Sequence, residues 1–248
     1  MLDYQKEINN YCKILRMPAI RKNYKEQISE QISFEEYLYN LLKLEYESRE
    51  ENAKQNKLRL ANFPYKKYIE DLDIEALPED GRKKLKSFLT LEFIKSGQNI
   101  ILAGNPGTGK THIAIGLGIK ACLAGYKVLF TSVPHLINQL KECRSEKTLT
   151  SFNSRFEKYD LIIADELGYI SFDKEGSELL FSNLSLRAGR KSTIITTNLS
   201  FERWDEIFKD PVLTAAMIDR LTHKAYIVNM NGNSYRLKET QNMLEENG

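Results

Sequence analysis

The sequence predicts an α/β fold: a parallel sheet covered by helices on both faces, preceded by a small all-α N-terminal domain. Three observations carry this. From Asn99 onward, short apolar runs alternate with helical stretches, the pattern of buried parallel strands joined by helical crossovers. A glycine-rich turn joins the first of these runs to the helix after it. Residues 1–62, by contrast, contain no glycine and a single proline, Pro18, among many good helix formers.

The elements follow in order. Within residues 1–62, Phe34, Leu38, Leu41, Leu42 and Glu45 recur at helical spacing, which predicts an amphipathic helix. Ser33 followed by Glu36 has the form of a capping box at its start. Residues 63–81 hold two prolines and a glycine and read as a linker. The remainder, 82–248, forms the larger domain. It opens with the helix RKKLKSFLTLEFIKSG, which Gly97 ends as a C-terminal cap. Strands are predicted at 99–104, 127–132, 160–165, 192–198 and 224–230. Helices are predicted at 109–124, twice within 133–157, over EGSELLFSNLSLRAG and near 211–222. Right-handed crossovers place the functional loops at the carboxyl ends of the strands.

Composition narrows the field. The 248 residues are 42% hydrophobic and 28% charged, with a formal net charge of +2, which excludes a disordered polyelectrolyte. Three cysteines (Cys12, Cys122 and Cys143) are odd in number and too scattered for a disulfide framework or a zinc site. No apolar stretch approaches the roughly 20 residues of a membrane span, and no secretory signal is visible. A cytoplasmic protein without a membrane partner is expected.

The chemistry begins at Gly104-Asn105-Pro106-Gly107-Thr108-Gly109-Lys110-Thr111, which matches the phosphate-loop pattern G-x-x-x-x-G-K-[ST]. Glycines let backbone N–H groups turn toward phosphates, and the helix that follows adds its positive end. Lys110 would reach the β- and γ-phosphates of ATP, and the Thr111 hydroxyl would ligate Mg²⁺. His112, in the first helical turn, is expected to border the bound nucleotide as a packing residue rather than to catalyse. The apolar run LIIA ends in Asp165 and Glu166. Because side chains alternate along a strand, the two acids should point differently. Asp165 is then placed to hold magnesium and Glu166 to orient an attacking water. The fourth strand ends in Thr196-Thr197-Asn198, where Asn198 could touch the γ-phosphate or its water.

GNPGTGKT, LIIADELGY, TIITTN and DRLTHKA…GNSYR together resemble the AAA+ ATPases of the initiator and helicase-loader group. More narrowly they resemble the IstB-type helpers of insertion-sequence transposition, which are related to the DnaC loader. The resemblance reaches upstream through ANFPYKKYIEDLD and LEFIKSGQNIIL, and loosely into the N-terminal helices, and so covers almost the whole chain. It implies a P-loop AAA+ core with a five-stranded parallel sheet, its fourth strand between the first and third, bringing Asn198 beside Asp165 and Glu166. It also implies a homo-oligomer with ATP between subunits. Arg220, in DRLTH, would then be the arginine donated across the interface, and Arg236, in NSYR, a second γ-phosphate sensor. The family more often has Glu where this chain has Asn233. Only 18 residues follow Met230, too few for the C-terminal helical lid of many AAA+ proteins. The helices at 133–157 resemble the initiator-group insertion that faces nucleic acid, and Lys141, Arg144 and Lys147 make them locally basic.

The implied activity is Mg²⁺-dependent ATP hydrolysis that controls an assembly on duplex DNA, without strong sequence specificity, in partnership with a cognate transposase. Three rivals share the motifs: a DnaC-like replicative helicase loader, a small-molecule phosphotransferase, and a nucleotide-gated scaffold that hardly hydrolyses ATP. Other candidate phosphate contacts are Lys54, Lys57, Arg59, Lys66 and Lys67, interleaved with Tyr65 and Tyr68. The single tryptophan, Trp204, is expected to anchor the loop after Asn198 to the sheet.

Overall fold

The computed structural model describes residues 2–27 and 32–246. The chain divides into two compact units, residues 1–56 and 57–248.

The first unit is helical: α1 (Tyr4–Ile14), α2 (Pro18–Asn23) and most of α3 (Phe34–Leu60). Asp3 caps α1 by accepting from the Lys6 N–H at 3.1 Å. Ser33 caps α3 as expected, its Oγ accepting from the Glu36 N–H at 3.1 Å. The helical stripe in α3 is used differently from the expectation. Leu41 and Glu45 are buried, whereas Phe34 is 92% exposed and Leu38 and Leu42 also face solvent. The inward side of α3 is therefore partly polar. Glu45 Oε2 accepts from the Ala19 and Ile20 N–H groups at 2.9 and 3.2 Å, and Oε1 accepts from Arg49 Nε at 2.9 Å. A buried carboxylate thus serves the free N–H groups at the start of α2, where Pro18 occupies the first turn.

In the second unit a 3₁₀ turn (Ile69–Asp71) precedes α4 (Glu79–Phe88) and α5 (Glu92–Lys95). Next come β1 (Asn99–Ala103), α6 (Lys110–Leu123), β2 (Val128–Ser132), α7 (Val133–Ser145), α8 (Leu149–Phe156) and β3 (Leu161–Leu167). They are followed by α9 (Lys174–Ser185), β4 (Ser192–Thr197), a 3₁₀ turn (Phe201–Arg203), α10 (Asp205–Phe208) and α11 (Pro211–Thr222). β5 (Ala225–Asn229) and α12 (Tyr235–Glu246) close the series. The sheet order is β2-β3-β4-β1-β5, and every pairing is parallel. β4 therefore lies between β1 and β3, as the resemblance implied.

Alternation along each strand feeds two cores. Ile100, Leu102, Ile163 and Ile194 pack with α4, α5 and α6 on one face. Ile101, Ile162 and Ile195 pack with α7, α9 and α11 on the other. Trp204 is completely buried in this second core, with ring centroids 5.0 Å from Phe201 and 6.2 Å from Phe208. It anchors the segment after β4 as expected, and its indole N–H finds no hydrogen-bond partner among the described residues.

Two features of the stretch before β1 also depart from the sequence reading. The helix drawn over 82–97 is two helices, broken where Leu91 takes φ +60°. Gly97, at φ +65°, does end the second, with its N–H on Ile94 O and the Gln98 N–H on Phe93 O. The second difference concerns the stretch read as a linker over 63–81. It packs as part of the core: Ile69 and Leu77 are buried beside Ala61, with Phe63 and Leu72 against them. The Phe130 N–H donates to Ala61 O at 2.7 Å. Glycines in α6 let the stretch come close, since a Cβ on Gly116 would lie 2.6 Å from Ile69 Cδ1 and one on Gly118 2.8 Å from Phe63 Cε1. This segment is a strap across α6.

Candidate active site

The phosphate loop runs from the end of β1 into α6. Gly107 and Gly109 take φ +78° and +90°, conformations that glycine adopts without steric cost. Thr108 Oγ1 donates to Asn105 O at 2.8 Å and fixes the turn. Lys110 opens α6, buried, with Nζ donating to Gly104 O and Asn105 O at 2.7 and 2.6 Å. Burial pulls its pKa down to about 8; the Asp165 charge opposes that fall and the Arg236 charge adds to it.

β3 supplies the acids. Asp165 is buried and collects two hydroxyl donors, Thr196 Oγ1 at 2.6 Å and Thr111 Oγ1 at 3.0 Å. Burial raises its pKa, while those hydrogen bonds and the Lys110 charge pull the other way. Glu166 is exposed and lines the cleft. The two acids do point differently, but simple alternation is not the cause. Ala164 pairs with Ile195 and Leu167 with Thr197, so β3 carries one residue more than β4 across that interval. This is a β-bulge, with Glu166 at φ +64°.

One cleft of about 570 Å³ brings Lys110, Thr111, Glu166, Asn198 and Arg236 together, while Gly104, Asn105 and Asp165 lie outside its lining. Gly107, Thr108, Gly109, Pro106 and His112 also line it. His112 Nε2 lies 2.7 Å from Tyr68 O; since a carbonyl only accepts, Nε2 carries the proton, and the ring ties the strap to α6. The strap supplies a wall, with Tyr65, Leu72, Ala76 and Leu77. Burial and the nearby Asp165 charge raise the Tyr65 pKa. The segment after β5 closes the other side: the Tyr235 N–H donates to Gly107 O at 2.9 Å and Asn105 Nδ2 to Gly232 O at 3.3 Å. That contact brings Arg236, on the first turn of α12, into the cleft beside the loop.

Thr196, Tyr65, Leu72 and Leu77 were not singled out for this site in the sequence. Thr196 had a signal, as a hydroxyl at the end of a strand next to the acidic one. The strap residues had only scattered apolar positions in a segment that reads as a linker. Arg220, exposed at the end of α11, lies outside the cleft lining. The basic residues at 141–147 also lie elsewhere. Lys141 pairs with Asp173 at 2.7 Å and Arg144 with Glu175 at 3.5 Å, while Lys147 is exposed in the turn after α7.

A family model for the IstB-like ATP binding protein matches residues 13–243. The chain belongs to that family. The ATP-binding protein of insertion sequence IS5376 from Geobacillus stearothermophilus is 36% identical over 239 residues, covering 95% of each chain. The counterpart in insertion sequence IS21 from Pseudomonas aeruginosa is also 36% identical, over 84% of this chain and 79% of that one. Among solved structures, AMPPCP-bound DnaA from Aquifex aeolicus superposes with a TM-score of 0.57 at 21% identity, over 74% of this chain and 56% of that one. DnaI superposes with a TM-score of 0.55 at 22% identity, over 73% and 92%. These neighbours establish the P-loop AAA+ fold for the IstB-like chain, and its family is one of ATP-binding proteins encoded by insertion sequences.

Proposed function

We propose that this IstB-like chain hydrolyses ATP with Mg²⁺, assembles on duplex DNA as a homo-oligomer, and regulates a cognate transposase. The observation that carries this reading is the convergence of Lys110, Thr111, Glu166 and Asn198 on one cleft, with Asp165 hydrogen-bonded to Thr111 behind them. The P-loop amides and Lys110 would bind the phosphates. Glu166, exposed beside Asn198, would hold a water and take its proton; Asn198 would orient that water.

Thr111 and Asp165 fit a magnesium ion. They offer hard oxygen donors, one neutral and one anionic, and magnesium is usually held by one or two such groups plus water and substrate phosphate. When bound, the ion would neutralise charge developing on the phosphates. Among the described residues Arg220 has no ion pair within the chain, which leaves its guanidinium available to a neighbouring subunit's nucleotide. DNA phosphates would meet Lys147 first, and Lys141 and Arg144 in competition with Asp173 and Glu175. The exposed apolar side chains of α3 make the helical unit the candidate surface for assembly or transposase contact. A helicase-loader role rests on likeness in fold alone, whereas the relatives with 36% identity belong to insertion sequences.

The test is ATPase rate and oligomer size, each measured with and without duplex and single-stranded DNA across a salt series. Duplex stimulation and an ATP-dependent oligomer are expected. Stimulation by single strands alone would favour the loader, and turnover indifferent to DNA would sink the DNA-coupled reading. Glu166→Gln should lower kcat by about 10²–10⁴-fold, the usual contribution of a general base, while nucleotide still binds.

A further inference from the structure

We propose that Thr196 is a positioning residue for ATP hydrolysis, its hydroxyl coupling the carboxylate of Asp165 to the backbone that carries Glu166. The proposal rests on the reading of the cleft as an ATPase site and adds a residue to which no role in it has been given.

Thr196 lies in β4 at 2% exposure. Its Oγ1 does two things at once. It donates to Asp165 Oδ1 at 2.6 Å, and it accepts from the Glu166 N–H at 2.9 Å. A hydroxyl has one proton to give, so the donor role is committed to Asp165 and the acceptor role to Glu166. The short distance to Asp165 is that of a charge-assisted O–H···O⁻ bond.

The need for such a tie follows from the bulge. The extra residue in β3 disturbs the ladder between Ala164 and Leu167, and bulged strands leave a backbone group without its regular partner. Glu166 also sits at φ +64°, a region that a non-glycine residue occupies at a cost and keeps only when its surroundings enforce it. The bond from the Glu166 N–H to Thr196 is an enforcing contact at that residue. It joins a central strand to the peptide that leads into Glu166, whose rotation would swing the carboxylate away from the cleft. Thr197, the next hydroxyl in β4, cannot substitute: it accepts from the Leu199 N–H at 3.1 Å and faces the following turn. Thr196 therefore sets the aim of the catalytic carboxylate while holding the buried acid beside it.

The test uses the full chain and four variants. Thr196→Val keeps the branched shape and removes the hydroxyl; Thr196→Ser keeps the hydroxyl. Loss of these bonds should lower kcat about tenfold or more, with KM and the affinity for a non-hydrolysable ATP analogue changed less than about threefold. Thr196→Ser should recover most of the rate. If Thr196→Val folds poorly, Thr196→Ala against Thr196→Ser carries the same comparison, since the two differ by one oxygen. Melting temperature with and without the analogue reports folding and binding separately. Glu166→Gln separates the two levels of argument. An active parent, an inactive Glu166→Gln and an unaffected Thr196→Val would overturn the proposal alone. So would a Thr196→Ser as impaired as Thr196→Val, or a parallel loss of kcat and affinity. A parent chain with no ATPase activity would overturn the reading of the cleft and the proposal with it.

Discussion

Lys110 points back at its own loop, with its ammonium on the carbonyls of Gly104 and Asn105. In that position its pKa is lowered to about 8, and the sign of the consequence is definite. Phosphates placed against the ammonium favour its charged form, so ATP binding above pH 8 must draw in a proton. Affinity for ATP is expected to fall as pH rises from 7 to 9.5, approaching tenfold per pH unit at the upper end. Calorimetry at pH 8.5 in two buffers of different ionisation enthalpy should register that uptake, and identical heats would show that Lys110 keeps its proton in the free protein. Without nucleotide the linkage runs the other way. The unfolded lysine titrates near 10.5 and the folded one near 8, so burying the charge costs stability below pH 8. That cost is relieved as pH rises from 8 toward 10.5. The G-x-x-x-x-G-K-[ST] spacing of the loop announces Lys110 and Thr111 in the sequence, and the acids after the apolar run announce Asp165 and Glu166. Thr196 escapes because its role depends on a bulge, and a bulge is a relation between two strands.

At the scale of elements, the strap over α6 shows where sequence patterning stops. Period and punctuation place the five strands, and helices such as α6 and α11, within a residue or two, because apolar runs and regular faces mark them, whereas α12 lies outside the expected elements. Residues 63–81 have no regular period, so nothing in them shows that Ile69 and Leu77 enter the core. The information lies in α6, where Gly116 and Gly118 remove the side chains that would hold the strap off. The break at Leu91 is hidden for a similar reason, since its positive φ is imposed by packing. Gly116→Val should push the strap outward. A loss of about 1–3 kcal/mol is expected from overpacking, together with weaker nucleotide binding as Leu72 and Leu77 shift. Thermal melts and titration with a fluorescent nucleotide measure both; unchanged binding in a destabilised protein would remove the strap from the site.

For the molecule as a whole, the cleft carries its own loop, acids and water-orienting groups, and Arg220 stands outside it. If that arginine completes a neighbour's site, the defect must be complementable. Arg220→Ala and Lys110→Ala should each be inactive alone, and mixing them should restore a fraction of the turnover. In the mixture Lys110→Ala subunits donate Arg220 to the intact clefts of Arg220→Ala subunits. A mixture as inactive as its parts would remove Arg220 from that role. The net charge of +2 fits the same picture, because a near-neutral subunit gains little from phosphates alone and many subunits together gain more.

The completely buried Trp204 gives the protein an optical reporter. It is the sole indole in the chain, and its ring sits in a dry aromatic cluster six residues after Asn198. Native emission should therefore be blue-shifted and shielded from aqueous quenchers such as iodide. It comes from the larger unit alone, so chemical denaturation followed by fluorescence tracks that unit, whereas far-ultraviolet dichroism records both. Divergent midpoints from the two signals would show the helical unit unfolding on its own terms, and coincident ones would show a single cooperative transition.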